Sequence, residues 1–296
     1  MKRDDSPLVS LITINYNTEE HTLGLLKSIQ YIDYKNLEII VVDNGSTNNP
    51  EKDFIAAHPE IIFIRSEQNL GFAGGNNLGI KRASGDFLFF INNDTELKSG
   101  LIPSLLNRFK ADPAIGLISP KILYYGTQCI QYAGYTSLSL TARNRAIGNK
   151  LQDQGQFQQL IDTPYGHGAA MMVSKQVIET VGEMPEVYFL YYEELDWCEM
   201  IRRNGYKIKV DQSVTIDHKE SMSIGKLNPV KSYYLMRNRI LFVRRNFSFE
   251  RKAIFMLYVA VIALPKGILV NLVKIRFQHL RAIVKGVIWN FKHPAY

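Results

Sequence analysis

Apolar residues along the first 95 positions alternate between two periods. Leu8 to Asn15, Leu37 to Asp43, Ile61 to Ile64 and Phe87 to Asn92 are short, β-branched or aromatic runs, which predict four buried strands. Between them lie Glu19 to Ile29, Glu51 to His58 and Asn76 to Ala83, each helix-like and long enough for the crossover that parallel strands require. The expectation is an α/β fold with a doubly wound, mostly parallel sheet. Polar residues gather where the strands end, at Asn15-Tyr16-Asn17, Asp43-Asn44-Gly45-Ser46 and Asn92-Asn93-Asp94. In open α/β sheets ligands lie across the carboxyl ends of the strands, so these clusters should face one crevice.

Beyond Ser99 a helix to Phe109 is predicted, and Lys121 to Thr163 lacks clean periodicity, which suits a lid or acceptor loop. Gly166 to Ser174 reads as a strand and Lys175 to Val181 as a short helix. Glu193 to Asn204 reads as a longer helix, followed by short strands at Lys207 to Val210 and Val214 to Asp217. From Pro229 the pattern turns to long helical segments. Ala253 to Leu264 is uncharged, and Pro265-Lys266 should break it before Gly267 to Val273. Each piece is then too short to cross a bilayer, for which about 20 residues are needed. The boundary drawn here is a catalytic unit over 1–230 and a basic helical extension over 231–296.

Composition sharpens this division. With 46% hydrophobic and 21% charged residues, the 296-residue chain has ample apolar surface for a core, which excludes fibrous and disordered classes. Two cysteines make neither a disulfide framework nor a four-ligand zinc site, and Met1 to Asp5 leads into a strand without an apolar signal region. A cytoplasmic protein is expected. The net charge of +7 is uneven: residues 231–296 hold 13 Lys or Arg and one acid, Glu250. Because that positive charge sits beside apolar runs, it points to the anionic inner face of the cell membrane and not to nucleic acid. Packing on the catalytic unit or pairing in a homodimer would use the same apolar segments.

Among chemical candidates, Asp43 closes a strand and is followed by the turn signal Asn44-Gly45-Ser46. Gly71-Phe72-Ala73-Gly74-Gly75-Asn76 lies between a strand and a helix, where glycines let a phosphate or ribose approach the backbone. Its spacing is not that of a dinucleotide fingerprint, since Ala73 takes the second glycine position. Asp94, with Asn92 and Asn93 beside it, suits Mg²⁺ or Mn²⁺ that keeps most of its shell from water and substrate phosphates; His218 is a second candidate ligand. Tyr191 to Trp197 is the densest acidic cluster, at the start of a helix. The helix dipole favours acids there, but Glu193, Glu194 and Asp196 exceed what capping needs. One could take a proton from an attacking hydroxyl while another holds the acceptor.

Taken together these motifs resemble glycosyltransferase family 2, the inverting GT-A type, and within it the bacterial rhamnosyltransferase-like branch. The resemblance rests on Ser10–Asn17, Val41–Ser46, Asn69–Asn76, Ile91–Asp94, Gly168–Met172 and Tyr191–Trp197 followed by Gly205-Tyr206. It implies that Asp43 binds the base of a UDP or dTDP donor, that Tyr16, Asn17 and Asn44 line the same pocket, and that Gly74, Asn76 and Asn93 lie along the donor. Asp94 takes the metal role of an Asp-x-Asp motif, here with Asn92 where the family often has Asp. Glu194 falls on the general-base position, with Glu193 and Asp196 as alternatives. His218 and the Arg237-Asn238 pair resemble diphosphate contacts. The implied activity is metal-dependent transfer of a sugar, rhamnose by preference, to a polysaccharide or lipid-linked acceptor. A sugar-nucleotide nucleotidyltransferase is the alternative enzyme, although Thr13 to Thr18 lacks its Gly- and Lys-rich triphosphate loop. A non-catalytic membrane scaffold is the alternative outside enzymes.

Overall fold

The computed structural model describes residues 6–219 and 228–294; the Met1–Asp5 run read above for a leader lies outside them. In chain order the elements begin β1 (Val9–Asn15), α1 (Glu19–Ile29), β2 (Leu37–Asp43), α2 (Glu51–Ala57), β3 (Ile62–Arg65), α3 (Gly71–Arg82), β4 (Phe87–Ile91) and β5 (Thr95–Glu96). They continue with α4 (Leu101–Ala111), β6 (Ile115–Tyr124), β7 (Ile130–Tyr132), β8 (Leu160–Asp162), β9 (Ala170–Ser174), α5 (Lys175–Val181), α6 (Glu193–Arg203), β10 (Lys207–His218) and α7 (Pro229–Asn246). The main path of the sheet runs β3-β2-β1-β4-β9-β6-β10-β5. Strands β1 to β4 pair in parallel, β9 enters antiparallel between β4 and β6, and β10 runs parallel to β6. Helices cover both faces, which is why the strands are apolar throughout instead of alternating.

Register brings the polar strand ends together. Asn15 is level with Asp43 across β1 and β2, and His218 at the end of β10 is level with Thr95 of β5, next to Asp94. All three polar clusters therefore meet at one edge of the sheet, as predicted.

Four local expectations are corrected. The glycine segment is not a loop: α3 starts at Gly71. A β-carbon at Gly75 would lie 2.9 Å from Ile14 Cδ1 and one at Gly79 2.4 Å from Ile12 Cγ2, so these glycines let the helix lie close on β1. Ile115–Tyr124 is a ten-residue buried strand that the sequence reading passed over, because Pro120 and Lys121 interrupt its apolar pattern. The Lys121 ammonium is buried and meets Asp153 at 2.6 Å. The two short strands after Asn204 are one strand, β10, whose register slips between Asp211 and Thr215.

The fourth correction concerns Pro265. Phe249–Val273 is one continuous helix of 25 residues, α8, the one helix among the described residues long and apolar enough to cross a membrane. A π-helical stretch at Val259–Ala263 immediately precedes the proline. Its wider turn relieves the clash of the ring with the preceding carbonyls, so the helix continues. After it comes α9 (Phe277–Lys292).

The extension shares a core with the rest of the molecule. Ile240, Phe242 and Val243 of α7 and Phe255 and Val259 of α8 pack with Ala142 and Tyr188. Part of its positive charge is engaged by the protein: Arg237 stacks over Trp289, Arg244 donates to the Asn290 carbonyl, and Arg245 pairs with Asp196. Trp289 is engaged by Arg237 and by the His293 ring.

Candidate active site

The site begins where β1 and β2 end. Asn15 donates from Nδ2 to Asp43 Oδ1 (2.9 Å) and to Ser46 Oγ (3.1 Å), and its own Oδ1 accepts from Thr22 Oγ1 (3.0 Å). Asp43 is fully buried, and its Oδ2 has no hydrogen-bond donor; Arg65 Nε stands 3.7 Å away. A buried carboxylate oxygen left open in this way is an acceptor awaiting a donor. Asn17 adopts a left-handed φ of +52°, and Ser46 and Thr47 hold it on the loop after β2, with Tyr16 before it exposed.

Asn44 behaves differently from its neighbour. Its Nδ2 donates to the Gly71 carbonyl (3.0 Å) and to Asn69 Oδ1 (3.2 Å), and its Oδ1 accepts from Leu70 N (3.0 Å). The amide is occupied by the protein, so Asn44 shapes the entry to α3. The same holds for the backbone N–H groups there, since Gly71 N is taken by Asn69 Oδ1 and Phe72 N by the Phe189 carbonyl. Gly74 and Asn76 sit inside α3, with the Asn76 amide donating to the Phe72 carbonyl. The segment is thus a helix start packed on β1 and on the loop before α6, with its leading donors already filled.

At the end of β4, Asn93 donates to Thr18 Oγ1 and Thr22 Oγ1, both at 2.9 Å. Through Thr22 and Asn15, Asn93 is therefore linked to Asp43 by side-chain hydrogen bonds alone. Asp94 follows, with His218 Nε2 3.1 Å from its Oδ1. Burial works to raise the Asp94 pKa, but the His218 imidazole, and His21 further off, outweigh it and hold the carboxyl below its ordinary value. His218 Nδ1 meets Gln131 Oε1 at 2.7 Å. With Gln131 accepting from Nδ1, replacement of the Nε2 proton that faces Asp94 by a cation would make Nε2 and the Asp94 carboxylate two ligand atoms side by side. Two such atoms about 3 Å apart match neighbouring ligands of an octahedral Mg²⁺ or Mn²⁺ bound at about 2.1 Å. No group of three His, Cys, Asp or Glu side chains capable of holding a metal exists among the described residues, so this pair would need water and donor phosphate to complete a shell.

Between this pair and the acids lies His167-Gly168-Ala169. The His167 ring stands edge-on to His218 at 6.0 Å, and burial followed by the His218 charge lowers its pKa to about 3. Its Nδ1 accepts from Ala169 N, so a neutral ring carries its proton on Nε2. A β-carbon on Gly168 would reach Glu194 Cγ at 3.9 Å and the Phe72 ring at 3.7 Å. This tripeptide joins the metal-binding candidates to Glu194.

The acids open α6. Phe189, Tyr191 and Tyr192 all have left-handed φ values, +64°, +68° and +77°, a concentration of backbone strain immediately before Glu193. Asn238 of α7 holds that turn by donating from Nδ2 to the carbonyls of Tyr188 (2.9 Å), Leu190 (2.7 Å) and Tyr191 (2.9 Å). Glu193 and Glu194 each keep one buried oxygen without a donor. Burial pushes the Glu194 pKa up to about 7 against the pull of its backbone N–H contacts; burial and then the Glu194 charge push Glu193 further up. Asp196 is engaged elsewhere, fully buried and accepting from Arg245 Nε (2.7 Å) and Asn246 Nδ2 (2.5 Å). Arg237 likewise is not brought to Asp43: its Nη2 donates to the Val187 carbonyl beneath the strained turn.

Sequence reading missed Asn15 as a carboxylate partner, Thr22, Ser46, His167 and the bracing by Asn238. The first three have only short polar side chains near strand ends to mark them.

The Glycosyl transferase family 2 profile matches residues 10–182. The chain belongs to glycosyltransferase family 2. Among curated proteins it is 29% identical over 238 residues to the low-salt glycan biosynthesis hexosyltransferase Agl10 of Haloferax volcanii, covering 79% of this chain and 74% of that one. It is 26% identical over 251 residues to the dTDP-rhamnosyl transferase RfbF of Shigella flexneri, covering 79% of each. Among solved structures, GalNAc-T7 with UDP, GalNAc and Mn²⁺ superposes with a TM-score of 0.70 at 16% identity, over 99% of this chain and 59% of that one, a likeness of fold. The fold is GT-A with a C-terminal helical region, and the protein is a glycosyltransferase, which sets aside the nucleotidyltransferase and scaffold readings.

Proposed function

We propose that this family 2 member is an inverting transferase that moves a hexose, by preference rhamnose, from a UDP or dTDP donor to a hydroxyl of a glycan or lipid-linked saccharide. It works in the cytoplasm, peripherally on the inner face of the membrane. The observation that carries the reading is Glu194, a buried carboxyl with a pKa near 7 and an open oxygen, set beside Gly168 on the same sheet edge as Asp43 and Asp94. Its carboxylate takes the proton of the acceptor hydroxyl. That oxygen bonds to the anomeric carbon while the bond to the diphosphate oxygen breaks on the opposite face, which inverts the centre. Glu193, nearer neutral, adds no second charge.

Asp43 Oδ2 accepts from the imide N–H of the pyrimidine. Asp94 and His218 would hold Mg²⁺ or Mn²⁺, and a divalent cation there supplies neutralisation of the departing diphosphate. Similarity to a dTDP-rhamnosyl transferase and to a hexosyltransferase supports the donor class and the sugar. A panel of UDP-, dTDP- and GDP-sugars, followed by thermal shift and by release of nucleoside diphosphate with and without Mn²⁺, tests the assignment. Stabilisation and turnover with UDP- or dTDP-sugars are expected; a response to GDP-sugars as strong or stronger would overturn it.

A further inference from the structure

Within the segment expected to be a lid, residues 135–146 form a hairpin. Tyr135 bridges Ala146, Thr136 N donates to the Arg145 carbonyl (3.0 Å) and Ser139 N to the Arg143 carbonyl (2.9 Å). Its tip is clamped from two sides. Arg239 of α7 donates to the Thr141 carbonyl through Nε (2.9 Å) and Nη2 while its guanidinium lies over Phe255 and Tyr258 of α8. Ala142 is buried at a left-handed φ of +51°, with the Tyr192 hydroxyl 3.5 Å from its carbonyl. Tyr192 is the residue before Glu193, so the tip fills the space between the start of α6 and the helix α8.

Outward the tip presents Leu140, 50% exposed, and the exposed side chains of Arg143 and Arg145. Neither guanidinium makes an ion pair or hydrogen bond among the described residues. The adjoining outer face of α8 is apolar, with Leu257 66%, Val261 63% and Leu269 62% exposed. Its inner face is held at separate points: Phe255 and Val259 are buried, and Gly267 faces Ile283 of α9, although no residue from Leu264 to Val273 is itself buried. A helix held this way meets a bilayer side-on, not end-on. Arg251, Lys266 and Lys274 flank the apolar face, and Glu250 is the single acid from 231 onward, so the surface suits anionic headgroups.

We propose that the outer face of α8 and the 139–145 tip form one surface that lies in the plane of an anionic bilayer, with Arg143 and Arg145 taking the phosphate of a lipid-linked acceptor next to Glu194. This rests on Glu194 as the catalytic base. A lipid-linked saccharide carries its phosphate at the membrane surface and its sugar hydroxyl away from it. The tip stands between the membrane face and the start of α6 in the same order.

The test uses the full chain and two double variants, L257D/V261D and R143A/R145A, in flotation with three vesicle types: phosphatidylcholine alone, the same with phosphatidylglycerol, and the same with a long-chain polyprenyl phosphate. The unaltered protein should float with both anionic vesicles and poorly with phosphatidylcholine. L257D/V261D should lose flotation with both while keeping its thermal response to donor nucleotide. R143A/R145A should lose roughly tenfold of its retention on polyprenyl phosphate, the scale expected when two basic groups leave an anionic surface. Undiminished flotation of L257D/V261D overturns the surface, as does its conversion from dimer to monomer with vesicle binding unchanged, which would make a second copy the occupant. Equal retention of R143A/R145A overturns the phosphate site. Near-normal turnover by Glu194→Gln would instead remove the base on which the proposal rests, a separate failure from loss of flotation.

Discussion

The carbonyl of Phe189 occupies the place that a side chain on Gly71 would need. Phe72 N donates to that carbonyl at 2.8 Å, and a β-carbon on Gly71 would lie 2.7 Å from the Phe189 carbonyl carbon. Through this contact the start of α3, held by Asn44 after β2, abuts the strained turn that leads into Glu193 and Glu194. The nucleoside end and the acidic end of the crevice are thus in backbone contact.

Gly71→Ala must both adopt a φ near +76° and displace Phe189. A loss of stability of at least about 1–2 kcal/mol is expected, with turnover falling more than donor binding, because the displaced turn carries the acids. Thermal melts and steady-state kinetics of the variant check this. A variant that melts and turns over like the parent would show that the two segments move independently.

Asp43→Asn keeps the bond to Asn15 possible but presents an amide that can turn N–H toward the imide N–H. Selectivity for uridine or thymidine diphosphate over GDP should shrink by about 1–3 kcal/mol, or roughly tenfold or more in relative affinity. Calorimetric titration with UDP, dTDP and GDP reads it directly, and unchanged selectivity would place the base elsewhere.

The four parallel strands, the polar strand ends and α6 were legible because buried parallel strands and helices write their periods plainly. The glycine segment was not, since glycine signals flexibility and close packing alike, and only Ile12 and Ile14 of β1 decide between them. β6 hid behind Lys121, whose burial depends on Asp153 more than thirty residues away in sequence. The surroundings of Glu193, Glu194 and Asp196 needed the rotation of α6, in which Arg245 and Asn246 hold Asp196 while Glu194 lies by Gly168. Pro265 misled because a local rule for proline cannot see the π-turn that precedes it.

Asp94→Asn removes the one carboxylate of the candidate metal pair while leaving its shape. Stabilisation by UDP or dTDP in Mn²⁺ should fall to the level seen with EDTA, whereas metal-free nucleotide binding through Asp43 should persist. His218→Ala should weaken the Mn²⁺ effect in the same direction. Full Mn²⁺ dependence in both variants would mean that the cation is held by other groups.

Glu194→Gln keeps the volume of the base but cannot accept a proton, so turnover should drop by about two to four powers of ten with donor affinity little changed. As a base, Glu194 must be ionised, and with its pKa near 7 turnover in the parent should rise with pH through that value and then level. Stability follows with the opposite sign. The folded carboxyl holds its proton more tightly than the unfolded one, so the contribution of neutral Glu194 is fully present below its unfolded pKa, about 4.3, and is lost as pH rises through about 7. Glutamine never ionises, and the melting temperature of Glu194→Gln should therefore gain on that of the parent between about pH 5 and 8. Asp196→Asn should behave otherwise, losing about 1–3 kcal/mol of stability as the charge-assisted bonds to Arg245 and Asn246 weaken, while its pH–rate profile keeps the midpoint near 7. A midpoint that moves with Asp196 and not with Glu194 would reverse the assignment of the base.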